Sequence, residues 1–540
     1  VGILKGRRFF PLYSLSGRSS FLICLPLQEV DRLEKIIVLD FGGQYNQLIA
    51  RRVREAGVYA EVLPYTAVPE RLTSGGELMG VILTGGPDSV YAEGAKQLPG
   101  YLLELGVPIL GICYGMQALA CHLGGAVAPA KAGEFGHTPI HYAAHPLFAD
   151  MTGDHVWMNH VDAVQQLPEG FSTIAGTDLC PIAAMADDGR RLYAVQFHPE
   201  VHHTPEGPQL FKNFVFNICG CKGGWAAENL ADSLIAQIRT QAGDSRVISA
   251  LSGGVDSSVA SVLVHKAIGD RLKCIFVDHG MLRHNEAREV LTFYRDELGM
   301  DVHFVDASER FLSKLKGVTD PEQKRKIIGT EFIRVFEEEA KKLGGADYLV
   351  QGTIYPDVIE SGAGSAAVIK SHHNVGGLPK NVDFKGLIEP LRTLFKDEVR
   401  ALGESIGIPH HLVWRQPFPG PGLAVRIIGE ITPEKLEIVR HSDYIFRTEV
   451  AQAGLESAIW QYFTVYTGVR SVGVMGDDRT YDSVVALRAV TSTDAMTVEF
   501  SELPYPLLRK ISSRIINEVP GCNRVVYDIT SKPPGTIEWE

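Results

Sequence analysis

Residues 246 to 269 read RVISALSGGVDSSVASVLVHKAIG. Apolar and small residues suited to a buried strand run into a Ser/Gly turn, and then into a segment whose apolar positions recur at helical spacing. This order places the backbone N–H groups of Ser252, Gly253, Gly254, Val255, Asp256, Ser257 and Ser258 at the positive end of a helix, an anion-binding nest to which the hydroxyls add donors. The loop contains no lysine. A phosphate loop of the G-x-x-x-x-G-K-[ST] type needs one because the γ-phosphate is the group that moves. Without it the loop suits attack at the α-phosphorus, with pyrophosphate leaving as a unit and an adenylylated acceptor as the product. Asp256 has two readings: a ligand for Mg²⁺, the metal expected with any polyphosphate, or a carboxylate that stabilises the helix N-terminus.

The same pattern repeats on both sides of this stretch. KCIFVDHG (273–280), VHFVDAS (302–308) and DYLVQGT (347–353) follow it; IIVLDFG (36–42), AEVLPY (60–65), GVILTGGP (80–87) and VPILGIC (107–113) precede it, with the amphipathic YNQLIARRVREAG between the first two. Strands alternating with helices imply mostly parallel sheets with ligands at the carboxyl ends of the strands. The expected fold class is α/β: two consecutive parallel-sheet α/β domains followed by a smaller α+β dimerisation domain. The expected boundaries are 1–34 (extension), 35–222, 223–415 and 416–540, with CGCKGGW (219–225) as a linker and the Pro/Gly-rich RQPFPGPGLAVR (415–426) as a hinge. Beyond the hinge, RHSDYIFRTEVAQAGLESAIWQYF (440–463) reads as helical.

Composition narrows the function. The chain has 540 residues, 45% of them hydrophobic, 21% charged and a net charge of −12, which fits a multidomain globular protein and argues against a nucleic-acid or anionic-membrane binder. No apolar run approaches the ~18 residues that span a bilayer. Eight cysteines without C-x-x-C pairs argue against a zinc ribbon or a disulfide scaffold and fit a reducing cytoplasm. The histidine pairs at 202–203 and 372–373 lack the carboxylate or cysteine spacing that completes a metal site. Residues 1–34 place Lys5, Arg7, Arg8 and Arg18 ahead of a short apolar patch without a small-residue cleavage site; they are expected to form a disordered upstream extension, not a targeting signal.

GICYGMQALACHLGG (111–125) is a nucleophile-elbow pattern: small residues permit a sharp strand-to-helix turn that presents Cys113 at a helix N-terminus, where the dipole favours thiolate. YAVQFHPE (193–200) supplies His198 and, two residues on, Glu200, so an imidazole can face the thiol while a carboxylate orients the ring. TGGP (84–87) and the Tyr114 N–H suit an oxyanion. Residues 36–220 thereby resemble the class I (triad) glutamine amidotransferases. The resemblance implies that Cys113 attacks the glutamine side-chain amide, His198 moves the protons, Gly86 and Tyr114 form the oxyanion hole and Gln117 binds glutamine. The chain departs from the family in DFGGQY, and in WMNHVD (157–162), whose Val161 is expected to alter the glutamine pocket but not the triad.

S-G-G-x-D-S after a strand resembles the ATP pyrophosphatase family. GTIYPDVIESG (352–362) and IKSHHNVGGLP (369–379) flank a small-residue tract typical of a lid. PFPGPGL and the terminal SKPPGTIEWE resemble the glutamine-hydrolysing GMP synthetase family across residues 35–540. That resemblance implies XMP, ATP and L-glutamine as small-molecule substrates, Mg²⁺ with the ATP, acceptor binding by Arg283, Asp477, Lys532 and Glu538, and a cytoplasmic homodimer. Two rivals remain open at this point: an amidotransferase with another acceptor, such as the NAD synthetases, and a sensing protein with an inactive triad.

Overall fold

The computed structural model describes residues 33–362, 384–492 and 498–540. Residues 1–32 of the extension expected at 1–34, and the lid tract with its histidine pair at 372–373, lie outside the described residues; Glu34, expected in the extension, opens the first strand.

The strands of the first unit are β1 (Glu34–Asp40), β2 (Tyr59–Pro64), β3 (Glu77–Leu83), β4 (Ile109–Ile112), β5 (Ala126–Pro139), β6 (His141–Tyr142), β7 (His155–Gln166), β8 (Ser172–Gly176), β9 (Ala184–Asp187) and β10 (Leu192–Val195). Eight of them form one sheet in the order β2-β1-β3-β4-β10-β9-β8-β6, parallel from β2 to β10 and antiparallel beyond; β5 and β7 form a separate antiparallel ribbon. The IIVL run of β1 is apolar throughout because both faces of the strand are covered: Ile36 and Val38 enter one core, Ile37 and Leu39 the other. Side-by-side placement of β3, β4 and β10 matters for function, since TGGP follows the first, Cys113 the second and His198 the third.

The second unit is a fully parallel sheet of β11 (Val247–Ala250), β12 (Leu272–Asp278), β13 (Val302–Asp306), β14 (Tyr348–Val350) and β15 (Gly386–Ile388), ordered β13-β12-β11-β14-β15. The strand order reverses at β11, so the crevice where such sheets bind ligands opens at its carboxyl end, where SGGVDSS begins.

In the third unit β16 (Gln461–Met475) and β17 (Asp478–Thr491) form a long antiparallel hairpin. Along the other edge of β17 run β18 (Glu499–Phe500) and the parallel β19 (Cys522–Asp528). Helices Pro433–Gln452 and Tyr505–Glu518 pack their apolar residues, among them Ile445, Phe446, Ile511 and Ile515, against Val485 and Leu487 of β17. Among the described residues no helix is long and apolar enough to cross a membrane.

Two expectations need correction. Helix Pro433–Gln452 stops ten residues or so short of the expected end: Gly454 takes a positive φ of 69°, and WQYFTVY, rich in aromatic and β-branched residues, opens β16 instead. Nor is PFPGPGL a free hinge. Leu423, Ala424 and Ile427 are fully buried and share one apolar core with Ile275 and Val277 of β12 and with Val439 and Tyr466 of the third unit. The second and third units are therefore packed as one body across that boundary.

Candidate active sites

Cys113 sits between β4 and helix Tyr114–His122 with φ 52° and ψ −107°, a left-handed conformation that costs a non-glycine residue energy. The glycines on either side make the turn possible. A Cβ on Gly115 would lie 2.5 Å from the Leu83 carbonyl oxygen, and one on Gly111 would lie 2.7 Å from the backbone of Gly115. Cys113 N–H donates to Val195 O at 2.8 Å, fixing the elbow to β10. A Cβ on Gly85 would meet His198 Cε1 at 3.4 Å and Cys113 Cβ at 3.7 Å, so the TGGP backbone closes over both. A Cβ on Gly86 would lie 3.1 Å from Tyr114 Cγ, and Tyr114, first in its helix, has an N–H without an intrahelical acceptor.

His198 is buried and held from both sides of its own backbone. Its N–H donates to Trp157 O at 3.0 Å, and its carbonyl accepts from Thr204 Oγ1 at 2.7 Å. The Nδ1 atom lies 2.7 Å from Glu200 Oε1, which leaves Nε2 for the thiol. Burial works against a charge on the ring, but Glu200 and then Cys113 outweigh it, so the imidazole titrates well above its ordinary value. Such a group can deprotonate a thiol, carry the proton, and give it to a leaving amine. Gln117 is buried, with Nε2 at 2.8 Å from Asp162 O and 3.2 Å from Gln196 Oε1. Val161 points outward and is 57% exposed, away from this buried network.

In the second unit the helix begins at Val255, after Gly253 with φ 71°. Ser252 Oγ and Ser257 Oγ are 2.9 Å apart and brace the nest. The missing lysine arrives from elsewhere in the chain: Lys396, first residue of helix Lys396–Ser405, places Nζ 2.6 Å from each carboxylate oxygen of Asp256. Sequence reading passed over it. The signal was a cation at the positive end of a helix, a place that disfavours one. The Asp256 carboxylate, expected as a magnesium ligand or a helix-terminus charge, here pairs with Lys396.

A second group missed by the sequence reading is Arg426, fully buried within GLAVRIIG. It donates to Glu538 through Nε at 3.2 Å and Nη2 at 3.0 Å, and lies over the rings of Phe463 and Phe418. Arg283 also lies over Phe418, 4.1 Å from its centroid. Burial first, and the nearby Arg426 as well, push Arg283 down to about 9. Arg283 Nε, Arg426 Nη1, Gln416 Nε2 and Asp443 Oδ1 are buried without a hydrogen-bond partner. Gln461 Nε2 also donates to Glu538 Oε1 at 3.0 Å. Lys532 lies on the same terminal segment, bridged to Val498. Asp477 is not brought to this group: it occupies the turn of the β16–β17 hairpin, about 50 Å of strand from Gln461 at ~3.3 Å per residue.

Arg54, on helix Asn46–Glu55, ties the two α/β units together. It donates to Ala60 O in the first unit, and to Thr393 O at 2.7 Å and Glu398 Oε2 at 2.8 Å in the second, and is enclosed by the rings of Tyr59, Trp225, Tyr355 and Phe395. Among the described residues one group has metal-ligand spacing, buried Glu134, His160 and Cys180. Its members are satisfied without an ion: His160 contacts Asp162 O and Glu134, Thr177 donates to Glu134, and Cys180 Sγ to Ile182 O. The described cysteines are all free.

These features define a class, a glutamine amidotransferase joined to a pyrophosphate-loop nucleotide unit. Family comparison agrees by segment: residues 37–218 match the class-I glutamine amidotransferases, 227–332 the NAD synthase family and 448–539 the GMP synthase C-terminal domain. Along 94% of its length the chain is 60% identical to the GMP synthase [glutamine-hydrolyzing] of Ruminiclostridium cellulolyticum and 59% identical to that of Clostridium perfringens, covering 99% of each. The same enzyme of Caldicellulosiruptor saccharolyticus is 60% identical over 94% of this chain and 99% of its own. A solved glutamine amidotransferase from Thermotoga maritima aligns to 35% of this chain and 100% of its own at 18% identity, with a TM-score of 0.29. The chain belongs to the glutamine-hydrolysing GMP synthase family.

Proposed function

We propose that the chain makes GMP from XMP, with ammonia released from L-glutamine in the first unit and ATP consumed in the second. Cys113 Sγ attacks the glutamine side-chain amide carbon, and the oxyanion lies against the backbone of Gly86 and Tyr114. His198 protonates the departing ammonia, and a water then cleaves the thioester to glutamate. Gln117 lines the glutamine pocket. In the second unit the nest from Ser252 to Ser258 holds the β- and γ-phosphates, with Lys396 supplying the charge that the loop lacks. The C2 oxygen of XMP attacks the α-phosphorus, pyrophosphate leaves, and ammonia displaces AMP from the adenylylated intermediate. Mg²⁺ is expected to enter with ATP, with Asp256, paired with Lys396, as the carboxylate of the loop that would help hold it.

The observation that carries the acceptor assignment is the under-paired arginine group. Arg283 and Arg426 converge on Phe418, Arg283 Nε without a hydrogen bond and Arg426 Nη1 meeting only Asp443 at 3.6 Å, a buried pair of guanidinium groups beside Glu538 that suits a nucleotide phosphate and ribose or purine hydroxyls. Lys532 extends it on the same terminal segment. Asp477 can join such a site only from the hairpin of a second copy, and that hairpin offers a surface for one: Val472 and Tyr481 face each other across the strands and are 53% and 61% exposed, with Val474 beside them at 73%. A homodimer in the cytoplasm is the expected form. The acceptor is tested by AMP release from ATP with XMP, compared with deamido-NAD, the acid an NAD synthetase would activate. Release with XMP alone supports this reading, and release with deamido-NAD alone rejects it.

A further inference from the structure

Beside the Cys113–His198–Glu200 group lies a fully buried amide with no part in the mechanism above. Gln196, just past β10, places Nε2 3.6 Å from Cys113 Sγ. Whether an amide turns its nitrogen or its oxygen to a neighbour must be settled from its hydrogen bonds. Here the network settles it. The Asp162 backbone carbonyl can only accept, and Gln117 Nε2 lies 2.8 Å from it, so Gln117 presents its NH₂ group there. The same nitrogen is 3.2 Å from Gln196 Oε1. Gln196 therefore gives its oxygen to Gln117 and its N–H to the sulfur. Asp162 is itself anchored, its carboxylate accepting from Tyr91 OH at 2.7 Å and from Ser89, so the relay is fixed at its far end.

We infer that Gln196 is a second hydrogen-bond donor to the nucleophile, one that stabilises Cys113 as thiolate and aims it, and that Gln117 and Asp162 lock its amide in the donating orientation. An N–H directed at sulfur favours the anion over the thiol, because only the anion gains a charge-assisted bond. His198 and the helix N-terminus act on the same sulfur from other directions. The network also joins Gln117, assigned to glutamine binding, to the atom that attacks glutamine. The inference rests on Cys113 being the nucleophile.

The test uses the full chain with Gln196→Met, which keeps the volume and removes the donor, and Gln196→Glu, which keeps the shape and turns a carboxylate to the sulfur. Iodoacetamide alkylation is followed against pH, with Cys113→Ala subtracted as background, beside kcat and KM for glutamine hydrolysis. Ammonium-supported GMP synthesis reports folding. Gln196→Met is expected to slow alkylation at neutral pH about tenfold and to move the rising limb of the profile up by about one pH unit. Its kcat should fall with KM for glutamine nearly unchanged, and Gln196→Glu should move the limb further in the same direction. Alkylation profiles that superpose on the wild type, or a loss confined to KM, would overturn the inference. If one variant loses ammonium-supported synthesis, the other decides. Glutamine hydrolysis surviving in Cys113→Ala would instead overturn the assignment of the nucleophile, and so separates the two failures.

Discussion

The glutaminase group and the acceptor group are both buried and both charged, yet they are finished to different degrees. Around Cys113 most partners are already in place: Glu200 on His198, Trp157 and Thr204 on the His198 backbone, Gln196 on the sulfur, with Glu200 Oε2 the one buried atom of the group left without a hydrogen bond. Around Phe418 the hydrogen bonds are less complete: two arginines, a glutamine and an aspartate each leave a buried atom without one, Arg426 Nη1 and Asp443 Oδ1 meeting only as an ion pair at 3.6 Å. A covalent mechanism draws its reactive groups from the protein and can be preassembled. A site for an anionic nucleotide has to leave charge for the ligand to neutralise, and buried polar atoms without partners mark where it goes.

The variants below break that contrast in order of expected effect. Cys113→Ala should lower glutamine-supported GMP formation by about 10⁴-fold or more while leaving ammonium-supported formation intact, measured as GMP by chromatography. Glu200→Gln keeps the shape but removes the charge that outweighs burial at His198, and should cut glutamine hydrolysis by roughly 10³-fold. It also changes the pH profile. A raised imidazole keeps its proton above the ordinary value and loses it as pH rises through the folded value, so removing Glu200 should bring the alkaline limb of hydrolysis to lower pH. Lys396→Met should slow pyrophosphate release by about 10²-fold with either nitrogen source, since one preorganised cation at the phosphates is lost. Arg426→Met should raise KM for XMP by roughly 10-fold to 100-fold in the ammonium-supported assay, as a charged hydrogen bond is worth ~1.5–3 kcal/mol, and leave glutamine hydrolysis without XMP unchanged. Val161→Gly, at an outward-facing position, should change KM for glutamine by no more than about 3-fold.

Local chemistry was the legible part of the sequence. Strand runs followed by turn residues gave the parallel part of the first sheet and four of the five strands of the second, not the antiparallel β9, β8 and β6, and Cys113, His198 and Glu200 could be proposed as nucleophile, base and carboxylate because each sits at or just past a strand end with a fixed local setting. Long-range pairing was not legible. Lys396 lies 140 residues from Asp256, and nothing in LFKDEV says which loop its ammonium meets. Arg426 is an arginine inside an apolar run, a conflict visible in the sequence whose resolution by Glu538, 112 residues later, is not. PFPGPGL read as a hinge because Pro and Gly break regular structure; its burial depends on partners from two other segments. The strand at WQYFTVY was misread for a different reason, since helical periodicity carried over from the preceding helix past Gly454.

The central claim is that the second site activates the acceptor by transfer from the α-phosphorus, with ammonia as the only link to the first. Measuring AMP, ADP, pyrophosphate and GMP together, from ATP, Mg²⁺ and XMP with either glutamine or ammonium, tests it most directly. One AMP and one pyrophosphate per GMP, the same for both nitrogen sources, is the predicted result. ADP and inorganic phosphate in place of AMP and pyrophosphate, or GMP from glutamine but never from ammonium, would contradict it.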